Sequence, residues 1–232
     1  VKLAVFKGKT LLNKEVVLNE DLLEAVSNLD IGHKTIKYVI VSSVGNIEEE
    51  VLEYLENNFQ VLFLSHQVKL PFKNLYETPD TLGIDRIALI AASVDQYSKK
   101  NVLVIDAGTC VTYDFKNSND EYFGGAISLG IRMRYKALHN QTAKLPLLDT
   151  EVPESFIGNS TTESINSGVV NGLVNEIDGI ITQYKEKYKD LTIILTGGDA
   201  NFLSKQLKSS IFANSNFLLQ GLNFILLNNL NE

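Results

Sequence analysis

A single cysteine, Cys110, excludes any intrachain disulfide and fits a reducing compartment. There is no Cys-x-x-Cys pair, and His33, His66 and His139 are scattered without metal-ligand spacing, so a zinc centre loses support. Gly-x-Ser-x-Gly and Gly-x-x-x-x-Gly-Lys are both missing, which sets aside the serine-hydrolase elbow and the P-loop. Positive charge is in deficit: 21 Lys and Arg stand against 28 Asp and Glu, for a net charge of −7. Such a chain has no cationic excess with which to displace counterions from nucleic acid. It must hold an anionic ligand with backbone amides and a few local cations. No apolar run approaches a membrane span, and no basic, apolar and small-residue pattern opens the sequence. A cytoplasmic protein with neither nucleic acid nor membrane as partner is expected.

The remaining sequence reads as alternating strands and helices, and 232 residues allow one large domain or two small ones. Val1 to Phe6 and Thr10 to Leu18 predict a hairpin, and Asn19 is placed to cap a helix through Asn28. Tyr38 to Val44 is a β-branched run typical of a buried parallel strand. Asn46 is placed to cap an acidic helix over Ile47 to Asn57, followed by a strand over Val61 to Leu64. A helix from about Gly83 to Tyr97 ends at the polar stretch Ser98 to Asn101, the expected seam between domains 1–99 and 100–232. The second half restarts with strands at Val102–Ile105, Val111–Phe115 and Tyr122–Ile127, the last two joined by a turn at Asn117–Asp120. Both halves fit one β-β-β-α-β-α pattern. The Leu- and Asn-rich end, from Leu227 on, is expected to fray.

Three glycine-bearing motifs concentrate the chemistry. Gly83-Ile84-Asp85-Arg86 opens a helix, where Asp85 suits either a dipole-stabilised cap or the general base of a kinase acting on an alcohol. Arg86 suits a substrate carboxylate or a surface ion pair. Asp106-Ala107-Gly108-Thr109 ends a strand with a carboxylate for a cation, and with a hydroxyl and bare amides for phosphate oxygens. An ordinary turn fits those letters too. Thr196-Gly197-Gly198-Asp199-Ala200 lets backbone approach a nucleobase or ribose, or simply connects strand to helix. The paired Gly124-Gly125 signals a bulge, a close ligand or tight packing. Ser160 or Thr161 is placed to cap the long helix that follows.

In this order the motifs resemble the type III pantothenate kinase family, of the acetate and sugar kinase, Hsp70 and actin superfamily. Tyr76, Thr78-Pro79, Thr142-Ala143-Lys144-Leu145-Pro146, Ile157-Gly158 and Ser167-Gly168 complete the match over nearly the whole chain. The resemblance implies an α/β fold of two actin-like, ribonuclease H-like domains with mixed sheets and a nucleotide cleft between them. It implies transfer of the ATP γ-phosphoryl to the primary hydroxyl of pantothenate, the first step towards coenzyme A. Asp85 is then the catalytic base. Tyr76, Gly83, Ile84, Asp85, Arg86 and Thr161 contact pantothenate. Gly108, Thr109, Gly197 and Gly198 contact ATP. Asp106 holds a monovalent cation, potassium or ammonium, and Mg²⁺ accompanies ATP. The resemblance also implies a homodimer.

Some departures stand out. The family's opening strand and its Asp-x-Gly-Asn-Thr phosphate loop have no counterpart, because Val1 to Phe6 resembles the segment just after them. No Met begins the sequence, so preceding residues are expected. Leu129-Gly130 stands where the family has Pro-Gly, and Cys110 where a small residue is common. Three rivals remain at this point: a non-catalytic relative acting as an accessory factor in transcription, a structural scaffold, which would not need the two carboxylates Asp85 and Asp106, and another sugar or acid kinase of the superfamily. The pairing of Tyr76 with Gly-x-Asp-Arg speaks against the last.

Overall fold

The computed structural model describes residues 1–32, 36–43, 45 and 47–230. The chain divides into two compact units, Val1–Gln96 together with Phe217–Glu232, and Tyr97–Asn216. The final helix thus joins the first unit, whereas a linear division at 99/100 assigns it to the second half. Among the described residues no helix is long and apolar enough to cross a membrane.

In the first unit, β1 (Lys2–Lys7) and β2 (Thr10–Val16) form an antiparallel hairpin around Gly8, whose φ of +58° suits a residue without Cβ. Helix α1 (Leu22–Gly32) starts three residues after Asn19, whose carbonyl accepts the Leu22 amide. Strand β3 (Tyr38–Val41) pairs in parallel with β4 (Gln60–Phe63), with α2 (Glu49–Asn58) between them in sequence. The strand expectation at Tyr38 is right in type but not in burial. Tyr38 is 40% exposed, while Val39, Val41 and Val61 pack against Val26, Val51 and Leu55. The expected cap Asn46 and the strand end Val44 lie outside the described residues, as does His33.

A two-residue strand, β5 (Lys73–Asn74), and a 3₁₀ turn at Pro79–Thr81 lead to α3 (Ile84–Tyr97). From Arg86 to Val94 every residue of α3 is buried. The last helix, α8 (Phe217–Leu230), lies so close that a Cβ on Gly221 would overlap the Ala88 carbonyl. Tertiary packing therefore keeps the chain end helical to Leu230, where its Asn-rich composition predicts fraying.

In the second unit, β6 (Val102–Ala107), β7 (Cys110–Lys116) and β8 (Glu121–Leu129) form an antiparallel meander. Helix α4 (Ile131–Asn140) follows, then α5 (Thr161–Asn166), a π-helical turn at Ser167–Asn171, and α6 (Gly172–Lys187). Strand β9 (Thr192–Thr196) returns parallel to β6, and after α7 (Ala200–Leu203) the short β10 (Phe212–Ala213) pairs in parallel with β9. The order β10-β9-β6-β7-β8 mixes parallel and antiparallel pairs. Its core joins Leu103, Ile105 and Tyr113 to Ile177 and Ile181 of α6. Gly124 has φ +104° beside a register shift at Phe115/Lys116, and a Cβ on Gly125 would overlap the Tyr113 carbonyl. Bulge and tight packing both account for that glycine pair.

Lys116 is fully buried on β7. Its ammonium donates to the carbonyls of Tyr97 and Lys100, both at 3.0 Å, and to the Asp120 carboxylate at 2.6 Å. One cation thus ties the seam at Tyr97–Lys100 to the turn at Asn117–Asp120. Lys116→Met is expected to cost about 2–4 kcal/mol, because it strands two carbonyls and a half-buried carboxylate. Urea unfolding checks this, and an unchanged midpoint would refute it.

Candidate active site

Each unit gathers one group of the residues singled out by sequence. In the first unit the group forms where α3 begins. The Gly83 carbonyl accepts the Ile87 amide, the first bond of the helix. A Cβ on Gly83 would overlap Asp85 Oδ1, so the glycine leaves room for the carboxylate to fold back over the helix start. There Asp85 Oδ1 accepts the Arg86 amide at 2.9 Å, at the N-terminus of the helix. Arg86 is 5% exposed, with its guanidinium 5.7 Å from the Tyr76 ring centroid. Burial and ring contact replace the reading of Arg86 as a solvated ion pair. The Tyr76 amide donates to Asn74 Oδ1 at 3.0 Å, which fixes the loop carrying the ring. Tyr76, Gly83, Asp85 and Arg86 are therefore neighbours, and Ile84 is the first residue of the helix beside them.

In the second unit, Asp106, the penultimate residue of β6, is in register with Thr112 on β7 and Thr196 on β9. Directly opposed residues share a sheet face, so one carboxylate and two hydroxyls form a row across three strands. Gly197 follows with φ +96°, and a Cβ there would overlap both the Ala107 carbonyl and Asp106 Oδ1. The chain leaving β9 is bound to this place by the Asp199 amide, which donates to the Ala107 carbonyl at 3.0 Å. Burial pushes the Asp199 carboxyl above its ordinary range. Gly198 meets nothing within 4 Å, so its missing side chain leaves open space. The turn at Gly108-Thr109 is closed by the Gly108 amide on the Cys110 carbonyl at 2.9 Å, and Thr109 is exposed. Among the described residues no three His, Cys, Asp or Glu cluster in a metal-binding group. The Asp106 row offers hard oxygen donors only, which suits an alkali cation rather than zinc.

Thr161 lies in the second unit, at the start of α5. Ser160 is the cap of α5, its hydroxyl accepting the Glu163 amide at 3.2 Å, and Thr161 is the first helical residue. It lines a groove of about 690 Å³ with Leu138, Leu145, Asn159 and Ile165. A Cβ on Gly158 would overlap the Ser164 amide, which explains the glycine at the groove's edge. The π-helical turn just beyond it is a rare conformation that favours functional positions.

Sequence reasoning missed Arg134. The signal was available: a cation in the first turn of α4 opposes the helix dipole and needs a compensating anion. Glu176 supplies it at 2.5 Å.

Comparison with known proteins gives a consistent result. A family model described as type III pantothenate kinase matches residues 1–183. The type III pantothenate kinase of Flavobacterium psychrophilum is 52% identical over 223 residues, covering 96% of this chain and 92% of that protein. That of Christiangramia forsetii is 52% identical over 226 residues, with 97% and 93% covered. Among solved structures, a Campylobacter jejuni protein assigned to the Baf family of transcriptional activators has a TM-score of 0.57 at 23% identity, with 88% and 89% covered. A Listeria monocytogenes protein assigned as an N-acetylmannosamine kinase has a TM-score of 0.52 at 12% identity, with 98% and 94% covered. At such identities the two structures speak to fold alone, and the fold is the α/β, two-domain, actin-like kinase type.

Proposed function

This chain belongs to the type III pantothenate kinase family, and from that premise we propose how its residues divide the work. The family's reaction is an ATP-dependent phosphorylation of pantothenate, with ATP accompanied by a divalent ion. The accessory-factor alternative is not favoured, because relatives at about half identity over most of the chain are kinases. The observation that carries the assignment of roles is the Asp85 carboxylate held at the start of a buried helix, next to Arg86 stacked over Tyr76.

Asp85 is the base. It takes the proton of the pantothenate hydroxyl as that oxygen attacks the γ-phosphorus. The bond from the γ-phosphorus to the bridging oxygen breaks, and ADP leaves. Arg86 and Tyr76, with Gly83 and Ile84, form the pantothenate side. A planar guanidinium suits the substrate's carboxylate. Thr161 adds a further substrate contact. The exposed Thr109, on the turn with Gly108, contacts the phosphates, and Gly197 and Gly198 let backbone approach the nucleoside.

Asp106, with the hydroxyls beside it, fits a potassium or ammonium ion. Such an ion would supply positive charge that an acidic chain lacks near phosphate. Exposed apolar side chains at Val152, Phe156 and Ile157 support a second copy as partner, and a single free cysteine, Cys110, is compatible with a cytoplasmic setting.

Pantothenate-dependent ADP release tests the reading. Activity in potassium or ammonium is expected to exceed that in sodium by about tenfold or more. Full activity in sodium alone would remove the role given to Asp106. No pantothenate-dependent release in any salt would sink the whole assignment.

A further inference from the structure

We propose that Arg134 is a positioning residue for the nucleotide-binding turn Gly108-Thr109, an inference that rests on the reading of that turn as the phosphate contact. The turn is touched from outside by the elbow between β8 and α4. The Gly130 amide donates to the Thr109 carbonyl at 3.1 Å, and a Cβ on Gly130 would overlap the Gly108 and Thr109 carbonyls. Backbone therefore meets backbone, and a shift of the elbow becomes a shift of the turn.

Arg134 fixes the elbow. Its Nε donates to the Leu129 carbonyl at 2.8 Å, and its Nη2 donates to Ser128 Oγ at 3.1 Å and to Glu176 Oε2 at 2.5 Å. Leu129 and Ser128 are the last two residues before Gly130. Glu176 is anchored in turn on α6, and its Oε1 accepts the Tyr113 hydroxyl of β7 at 2.9 Å. One guanidinium thus joins β7, β8, α4 and α6. Burial opposes ionisation of Glu176, but the bonds from Arg134, Ser128 and Tyr113 outweigh it and hold the carboxyl below its usual range. The pair is charged at neutral pH and acts as a fixed brace. Lysine cannot replace the arginine, because a single ammonium does not reach the strand carbonyl, the serine and the glutamate together.

The test compares Arg134→Lys, Glu176→Gln and Thr109→Val in the full-length enzyme, by steady-state kinetics with each substrate varied and by thermal melting. Arg134→Lys is expected to raise KM for ATP about tenfold and to leave KM for pantothenate within about twofold. Glu176→Gln shifts KM for ATP the same way but less, and the double variant is less than additive. Equal movement of both KM values, or a lower melting temperature with unchanged kinetics, overturns the proposal. If Thr109→Val raises KM for ATP and Arg134→Lys does not, the brace fails while the nucleotide reading stands. If none of the variants alters KM for ATP, the nucleotide reading of the turn fails with it. A rise with Arg134→Lys and Glu176→Gln but not with Thr109→Val supports the brace acting through the turn's backbone.

Discussion

An Asp85→Asn enzyme is expected to turn over pantothenate about 10²–10⁴-fold more slowly than the parent while binding ATP with nearly the same affinity. Asparagine keeps the shape of aspartate and still offers an oxygen to the Arg86 amide, the bond seen at 2.9 Å. Gly83 leaves the same room for it. What is lost is the capacity to accept the hydroxyl proton, together with a negative charge at the helix start worth about 0.3–1 kcal/mol. The fold is therefore retained and the chemistry is not. Stopped assays of kcat combined with calorimetric titration of ATP separate the two. A variant keeping more than a tenth of the parental kcat would remove Asp85 from the role of base, and a matching loss of ATP affinity would point to a collapsed site instead.

Gly197→Ala is expected to damage both stability and nucleotide binding. Its φ of +96° is strained for any residue with a Cβ, and the added methyl would overlap the Ala107 carbonyl and the Asp106 carboxylate. Strain alone costs about 1–3 kcal/mol, and the backbone cannot relax freely because Asp199 is bonded to the same Ala107 carbonyl. The melting temperature should fall by about 4–10 °C, and KM for ATP should rise about tenfold as Asp106 is pushed aside. Gly198→Ala provides the contrast. With open space around it and an ordinary φ, alanine is expected to change stability by less than about 0.5 kcal/mol, so any rise in KM for ATP there reports ligand contact directly. Equal melting temperatures for Gly197→Ala and the parent would refute the packing argument.

Strand and helix positions were legible wherever one residue type dominated a short run. Val102–Ile105 and Ile193–Leu195 are uniformly apolar and sit fully inside the sheet. The acidic helix was legible from its composition, although it begins at Glu49 without a side-chain cap. The chain end was misread because local composition says nothing of the groove waiting for it, where Gly221 meets Ala88. At the site, the glycines announced close approach but not to what. Gly197 is required by Asp106 itself, Gly125 by strand packing and Gly158 by a helix start. The Arg134 brace was hidden because its partners, Ser128, Glu176 and Tyr113, are far apart in the chain. The cation early in α4 signals that an anion is needed, but which anion meets it depends on how the sheet is ordered.

The burial of α3 also bears on how the enzyme could be redesigned. From Arg86 to Val94 the helix has no outward face, and α8 approaches it at backbone distance. A library built along it would mostly sample misfolded chains, since nearly every substitution demands a second one opposite. The approach to that helix is different. Between Ser65 and Thr81 only Phe72 is buried, and this stretch carries Tyr76. Diversity aimed at substrate analogues has more room there, away from Phe72 and the Tyr76–Arg86 contact, while the carboxylate two residues into the helix stays in its frame.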